Sequence, residues 1–166
     1  MSFVKKEDTK QVNKRSSRAD DQQHLAGKNA GIFSWNIDRV TERKQKRGSI
    51  WSEYFHTRNN LYKMRLQFHP NGFVRTGTGF SIYVFLYPSE SLLKITWPFR
   101  ANISIKIFNP AVTNKSRIIT KFCHIDKPIN NPFKCCASFE FLYNDLNSDE
   151  YFQNDHFTME CFVNVK

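Results

Sequence analysis

Apolar and polar residues alternate along several short segments of this chain, and this period of two is the feature that most constrains its fold. The clearest case is at the C-terminus, where one phase is apolar throughout: Phe157, Met159, Cys161, Val163 and Val165. Successive side chains of a β-strand point to opposite faces, so this pattern predicts a strand with one buried face. The segment 62–69 alternates in the same way and ends at Pro70, Asn71 and Gly72, which predict a turn.

Further apolar segments are separated by turn residues along the rest of the chain. They lie at 33–37, 50–55, 81–87, 103–107 and 117–122, and 139–146 is either a strand end or a helical turn. In 81–87 both phases are apolar, and one of them is aromatic, which favours a central strand with aromatic side chains on one face. Residues 38–47 are highly charged and predict a short helix or a loop. Residues 123–132 are rich in proline and asparagine and predict an exposed loop.

These segments amount to seven or eight strands, and none has a long helical period. This predicts an all-β fold, an antiparallel β-sandwich, with a closed barrel as the alternative that periodicity leaves open. The chain has 166 residues, 40% of them apolar, which is enough for one domain with a core. We predict that domain at 30–166. Residues 1–29 are polar and charged, which predicts a disordered tail.

The formal net charge of +10 would attract nucleic acid, anionic lipid or acidic peptides, although solubility alone would also explain it. No RNA-binding motif of aromatic and basic residues accompanies the charge, so nucleic acid is not the predicted partner. No glycine-rich nucleotide loop or catalytic grouping is present, which predicts no enzyme activity and no cofactor. The sequence shows neither a signal peptide nor an apolar run of transmembrane length, which predicts no membrane insertion.

The cysteines predict neither a metal site nor disulfides. None of the four, Cys123, Cys135, Cys136 and Cys161, forms a Cys-x-x-Cys pair, and the five histidines add no ligand spacing. Cys135 and Cys136 would point to opposite faces of a strand and so suit a shared metal poorly. Cys161 lies on the apolar phase of its strand, which predicts a core residue. Reduced thiols predict an intracellular compartment.

Five sequence blocks occur in an order that resembles a known family. They are GIFSWNID (31–38), YKMRLQFHPNG (62–72), GTGFSIYVFLY (77–87), WPF (97–99) and YFQNDHFTMECFVNV (151–165). Together they resemble the C-terminal TRAF domain of the tumour necrosis factor receptor-associated factors, within the wider meprin-and-TRAF (MATH) group. The resemblance covers 31–166 and implies an eight-stranded antiparallel sandwich that binds peptides as an adaptor and has no catalytic function.

The resemblance also implies a binding site, since in the family extended peptides lie across the sandwich edge and pair with one strand. An apolar pocket is implied at four positions: Tyr83, Ile105, Phe122 and Phe133. In the polar part the chain departs from the family: Gln67 and His69 replace an arginine and a tyrosine, Phe73 replaces an aspartate, and Asn130 and Asn131 stand in for a serine run. Losing the arginine removes a charge-assisted contact, so we do not expect the family's peptide preference to apply. Phe73 predicts a more apolar contact instead. We predict that Gln67 and His69 modulate binding without being needed for folding.

The predicted function is a cytoplasmic adaptor that binds peptide segments of receptors or signalling proteins, in signalling of the tumour necrosis factor receptor and NF-κB type. Relatives trimerise with the help of a coiled coil and carry a RING finger and zinc fingers. None of these is present in the sequence, so we expect at most a weak homotrimer or a TRAF-type hetero-oligomer. The chain would then be a truncated relative, a fragment or a modulator. Two alternatives stay open: a basic nucleic-acid-binding β-domain, and a degenerate domain acting only through oligomerisation or competition.

Overall fold

The structure is a computed structural model, and it describes residues 30–57, 61–72, 77–87, 96–110, 112, 115–127, 133–146 and 148–166. Its strands are β1 (Ala30–Ile37), β2 (Ile50–Trp51), β3 (Phe55–His56), β4 (Lys63–His69), β5 (Gly79–Tyr87), β6 (Phe99–Ile107), β7 (Arg117–Ile125), β8 (Lys134–Leu142) and β9 (Phe157–Val165). They are accompanied by two short helices, α1 (Val40–Lys46) and α2 (Ser148–Tyr151), and a 3-10 turn (Asn144–Leu146). The predicted tail, residues 1–29, lies outside the described residues.

The strands form two antiparallel sheets that pack face to face. Sheet A has the order β1-β9-β6-β7, and sheet B has the order β2-β4-β5-β8 with β3 also paired to β4. Two separate sheets confirm the predicted antiparallel sandwich and exclude the closed barrel. The described residues contain nine strands rather than eight, because the segment around 50–56 forms two short strands, β2 and β3.

Alternate residues of the long strands meet between the sheets and form the core. β4 shows the predicted pattern most simply, since Met64, Leu66 and Phe68 are fully buried while the residues between them are half-buried. Cys161 on β9 is also fully buried, which confirms the prediction made from its phase. Removing these apolar side chains from water is the main force that holds the two sheets together.

The centre of the outer face of sheet A is buried as well. In the register of β6 and β9, Lys106 lies beside Glu160, and Ser104 lies beside Phe162. These four side chains are only 1% to 5% exposed. A partner therefore has little access to this part of sheet A.

The predicted loop at 123–132 is wrong at its start, because β7 continues to Ile125. Cys123 and Ile125 point into the core and are 2% and 3% exposed. The apolar phase that would have indicated this is interrupted by Lys121, whose ammonium group lies 5.7 Å from the centroid of the Phe139 ring. A long lysine stem can cover apolar surface at the open edge of a sandwich. Lys121 therefore occupies the same phase as Cys123 and Ile125 although its side chain is charged, and the sequence pattern did not show that the strand continues.

β8 begins earlier than the sequence pattern indicated, because its period of two is broken. Val84 pairs with Ala137, but the next residue of β5, Phe85, pairs with Cys135. Cys136 is therefore an extra residue in a β-bulge. A bulge moves the following side chains to the opposite phase. Strict alternation therefore predicted only the later part of this strand, from residue 139 onward.

The charged segment 38–47 forms α1, whose N-terminus is capped by a distant residue. The residue preceding the helix makes no side-chain hydrogen bond to it. Instead, the Asp155 carboxylate accepts hydrogen bonds from Thr41 N at 2.8 Å and from Thr41 Oγ1 at 2.6 Å. The backbone of Asp155 also accepts a hydrogen bond from Val40 N at 3.1 Å. These contacts satisfy donors that a helix N-terminus leaves unpaired, and they tie α1 to the turn before β9.

Asp155→Ala is expected to lower the free energy of unfolding by about 1–2 kcal/mol, because α1 loses its capping acceptor. Alanine is also less suited to the left-handed backbone at this position, where φ is 64°. Urea unfolding followed by circular dichroism measures the loss. Asp155→Asn keeps an oxygen acceptor and tolerates this backbone, so it should retain most of the stability. If the two variants were equally destabilised, the capping role would be wrong.

Candidate ligand-binding surface

Seven aromatic rings form a continuous cluster on the outer face of sheet B. β5 contributes three of them because its outward phase is aromatic. The others come from β4, from β2 and the segment after it, and from the residue before β8. The members, named the aromatic cluster, are Trp51, Tyr54, His69, Tyr83, Phe85, Tyr87 and Phe133. Residues distant in the chain are thus brought to one surface by the pairing of β2, β4, β5 and β8.

Each ring of the aromatic cluster contacts the next. The centroid distances are 5.0 Å for His69–Tyr83, 6.3 Å for Tyr83–Phe85, 5.0 Å for Trp51–Phe85, 5.2 Å for Phe85–Phe133, 5.3 Å for Tyr87–Phe133 and 5.1 Å for Tyr54–Tyr87. Phe85 at the centre is 9% exposed, whereas Phe133 and Tyr54 at the rim are 40% and 44% exposed. Joined aromatic rings with an accessible rim are typical of interaction surfaces.

Two cations of β4 lie against one end of the aromatic cluster. Lys63 Nζ is 4.2 Å from the centroid of the Tyr54 ring. The Arg65 guanidinium is 4.8 Å from the centroid of Tyr54 and 5.1 Å from that of Trp51, and its Nε donates a hydrogen bond to Ser52 O at 2.6 Å. Stacking and hydrogen bonding hold the guanidinium in place. This end of the surface therefore combines apolar rings with fixed positive charge.

The phenols of β5 keep their protons at neutral pH. Burial raises the pKa of Tyr83 above its ordinary value, and the nearby Glu140 carboxylate adds to the rise. Burial also raises the pKa of Tyr87, with Tyr54 adding to it. Both hydroxyl groups are therefore neutral hydrogen-bonding groups on an otherwise apolar surface.

β8 forms the edge of sheet B beside the aromatic cluster. It pairs with β5 on one side, and no described strand of sheet B pairs with its other side. An edge strand presents backbone N–H and C=O groups to which an extended segment can add. The β8 residues opposite Tyr83 and Phe85 are Ser138 and Cys135, which have small side chains. Because these two side chains are small, the side chains of a segment lying along this edge could reach the rings of β5.

Other features of the described residues lie away from this surface. A pocket of about 320 Å³ contains none of the predicted site residues and is lined in part by Tyr62, Trp97, Arg100 and Lys166. Within the described ranges, no three His, Cys, Asp or Glu side chains are grouped to hold a metal ion. No helix in those ranges is long and apolar enough to cross a membrane.

Comparison with known proteins identifies the family. The family model described as the MATH domain matches residues 32–163. The chain belongs to the MATH domain family. The fold of TRAF5 from Notothenia coriiceps is similar, with a TM-score of 0.68 and 19% sequence identity over 81% of this chain and 73% of that chain. No curated protein sequence gives a significant match. The resemblance seen in the sequence is thus confirmed, and the chain contains a protein-interaction domain of the MATH type.

The structure of this MATH domain brings four of the predicted site residues to the surface of sheet B. His69, Tyr83 and Phe133 are members of the aromatic cluster. Gln67 pairs with Tyr83 in the register of β4 and β5, and its Nε2 donates a hydrogen bond to Ser49 Oγ at 3.0 Å. Their role in binding stays a prediction. Three other predicted residues, Phe73, Asn130 and Asn131, lie outside the described residues.

Ile105 and Phe122 do not belong to this surface of the MATH domain, which corrects the implied four-residue pocket. Ile105 lies on β6 of sheet A and is fully buried between the sheets, so it cannot contact a peptide in this structure. Phe122 lies on β7 of the same sheet and is 56% exposed, with its ring centroid 6.3 Å from that of His124. Alignment places residues on strands, but it does not show which sheet and face each strand presents.

Six functional candidates of this MATH domain were not among the site residues predicted from the sequence: Trp51, Tyr54, Lys63, Arg65, Phe85 and Tyr87. Trp51 belongs to a two-residue strand, too short for a period to be recognised. Lys63 and Arg65 occupy the polar phase of β4, which is the ordinary pattern of a half-buried strand. One signal could have indicated them, namely the aromatic outward phase of β5. Lys63 and Arg65 pair with Tyr87 and Phe85 of that phase, so their side chains lie on the same face of the sheet.

Proposed function

We propose that this MATH domain is a cytoplasmic adaptor module that binds short extended peptides from receptor tails or signalling proteins. The observation that carries the proposal is the aromatic cluster, whose accessible rim lies beside the edge of β8. Membership of a protein-interaction family supports it. Signalling of the tumour necrosis factor receptor and NF-κB type is part of the same proposal and follows from the TRAF-like sequence blocks.

In this proposal the peptide adds to β8 as a further strand of sheet B. Backbone hydrogen bonds along the edge supply affinity that does not depend on sequence. Alternate peptide side chains face outward and pass over Ser138 and Cys135 towards the rings of Tyr83 and Phe85. Specificity then comes from one or two large apolar or aromatic side chains that cover Phe133 and its neighbours.

The charges predict where an acidic residue of the peptide would bind. Gln67, at the position where many relatives have an arginine, is neutral and hydrogen-bonded to Ser49. Arg65 lies two residues earlier on the same face of β4, and Lys63 lies two residues before that. An acidic side chain would therefore be attracted to the Tyr54 end of the aromatic cluster, where both cations contact the Tyr54 ring, rather than to Gln67. The preferred peptide combines an aromatic or aliphatic residue with a nearby carboxylate.

The test begins with an array of receptor-tail peptides probed with the full chain. Each peptide is present in a natural, a scrambled and a Glu-to-Gln form, and single-stranded oligonucleotides are included. Selected peptides are then measured by fluorescence anisotropy at low and moderate salt. Discrete peptides whose binding persists at moderate salt are expected. Binding only to oligonucleotides, or binding that vanishes as salt rises, would contradict the proposal.

Phe133→Ala is expected to weaken peptide binding at least about tenfold, because it removes an exposed ring from the rim of the aromatic cluster. Ile32→Ala is the matched control, since Ile32 is similarly exposed, at 44%, but lies on the far edge of sheet A. Phe122→Ala should also leave affinity within about threefold, because Phe122 belongs to sheet A. Equal effects of the Phe133 and Ile32 substitutions would refute the assigned surface.

A further inference from the structure

Two cations of β4 share one aromatic ring at the end of the aromatic cluster. Lys63 and Arg65 lie two residues apart on the outward phase of β4, where they pair with Tyr87 and Phe85 of β5. Both contact Tyr54: its ring centroid is 4.2 Å from Lys63 Nζ and 4.8 Å from the Arg65 guanidinium. Because both distances are measured to one ring, the two positive charges lie close to each other. Lys63, Arg65 and Tyr54 are named the cationic end.

The cationic end has no acidic partner in the described part of the chain. No ion pair there includes Lys63 or Arg65, although Glu53 is close in the sequence. The helix α1 differs, since its Arg43 lies 2.7 Å from the Asp38 carboxylate. Both cations of the cationic end are also half-buried, so water solvates them less fully than free surface cations. Two like charges held together without a counter-charge attract an anion.

The Arg65 guanidinium is held in position and still has donors for a ligand. Its Nε donates a hydrogen bond to Ser52 O at 2.6 Å, and it lies 5.1 Å from the centroid of the Trp51 ring. These contacts reduce the side-chain entropy that binding a ligand would otherwise cost. A guanidinium has five N–H donors, so the bond to Ser52 leaves others for the oxygens of a ligand.

The other end of the aromatic cluster carries the opposite charge. Glu140 on β8 accepts a hydrogen bond from Ser81 Oγ at 2.6 Å, and its negative charge acts on the neighbouring Tyr83. Ser81 pairs with His69, at the opposite end of β4 from Lys63. An anionic group of a bound peptide is therefore attracted to the cationic end and repelled from the Glu140 end.

We propose that the cationic end binds a phosphorylated side chain of the peptide. This inference rests on the proposed function, to which it adds the chemical class of the peptide's acidic group. A phosphoryl group carries a charge of about −1.5 to −2 at neutral pH and has three acceptor oxygens. It can therefore compensate both Lys63 and Arg65, whereas a carboxylate carries only one negative charge. Tyr54, which is 44% exposed, supplies a ring against which a phosphorylated tyrosine can stack.

The experiment measures binding of the full chain to peptide libraries that differ only at their central residue. That residue is phosphotyrosine, phosphoserine, tyrosine, serine or glutamate, and the other positions are randomised. Bound peptides are identified by mass spectrometry, and the best sequences are remeasured by fluorescence anisotropy as matched pairs with and without the phosphoryl group. The phosphorylated member of a pair should bind at least about tenfold more tightly than the unphosphorylated one, and also more tightly than the glutamate peptide. The tyrosine and serine libraries show which side chain carries the phosphoryl group.

Variants separate the cationic end from the general positive charge of the chain. The double variant Lys63→Gln, Arg65→Gln removes both charges, and it should reduce the affinity ratio between phosphorylated and unphosphorylated peptides to below about twofold. The matched control is Arg100→Gln, Lys166→Gln, which removes the same charge from two exposed positions on β6 and just after β9 of sheet A. The control should retain the ratio of the natural chain. Circular dichroism of each variant shows whether it remains folded.

The outcomes distinguish this inference from the proposed function. Equal binding of the phosphorylated and unphosphorylated peptides would overturn the inference and leave peptide binding intact. Binding of no library would contradict the proposed function as well. If both double variants lost the ratio to the same extent, net charge rather than the cationic end would be responsible, and the inference would be overturned. The comparison of matched peptides on the natural chain requires no substitution, so a poorly folded variant would leave the test intact.

Discussion

Phe80→Ala is expected to lower the free energy of unfolding by about 3–5 kcal/mol. Phe80 is completely buried at the start of β5. Its ring centroid lies 5.4 Å from that of Phe68, 5.1 Å from that of Phe141 and 5.3 Å from that of Phe157. These rings come from four different strands, so alanine would leave a cavity where the two sheets meet. The close packing of the surrounding rings restricts how far they can collapse into it.

A loss of this size is a large fraction of the total, because small domains unfold with about 5–15 kcal/mol. Equilibrium unfolding in urea, followed by tryptophan fluorescence and circular dichroism, measures it. Tyr54→Ala is the control, since Tyr54 is 44% exposed and its removal should cost less than about 1 kcal/mol. A loss below about 1 kcal/mol for Phe80→Ala would show that the core is not packed around this ring.

Gly79→Ala should destabilise the domain by about 3 kcal/mol, or prevent the pairing of β5 with β8 altogether. A β-carbon at Gly79 would lie 2.3 Å from Phe141 O and 3.2 Å from the Phe141 carbonyl carbon. Both atoms belong to the backbone of the paired strand, so no side-chain rotation can relieve the clash. The two strands would have to separate, with loss of hydrogen bonds and of the adjoining core contacts.

Gly48→Ala is the control for this prediction, because a β-carbon at Gly48 would meet no atom within 4 Å. Its effect on the free energy of unfolding should stay within about 0.5 kcal/mol. Thermal unfolding of both variants, compared with the natural chain, gives the answer. Similar melting temperatures for all three proteins would mean that β5 and β8 do not approach as closely at Gly79 as described.

The same pairing links stability to the proposed function. β5 carries Tyr83, Phe85 and Tyr87 outward, and its pairing with β8 places them beside the sheet edge. A substitution that separates these strands would therefore disturb the aromatic cluster together with the core. For this reason Phe133→Ala, which changes only an exposed ring, is the cleaner test of binding.

The long strands could be predicted from the sequence because their signal is local. In β4 and β9 one phase is apolar, and in β5 the apolar and aromatic phases correctly indicated an inner and an outer face. The same argument failed in β7 and β8, where Lys121 and the bulge at Cys136 interrupt the period. Short strands such as β2 contain too few residues to show a period at all.

The sequence by itself determined most of the long strands, their inward phase and, through ordered motifs, membership of the MATH family. Only the tertiary structure decided which strands share a sheet. That arrangement separates Ile105 from Tyr83 and brings Trp51 into contact with Phe85. The physical reason is that strand periodicity is set by neighbouring residues, whereas sheet order and cross-sheet contacts arise from pairing between distant segments.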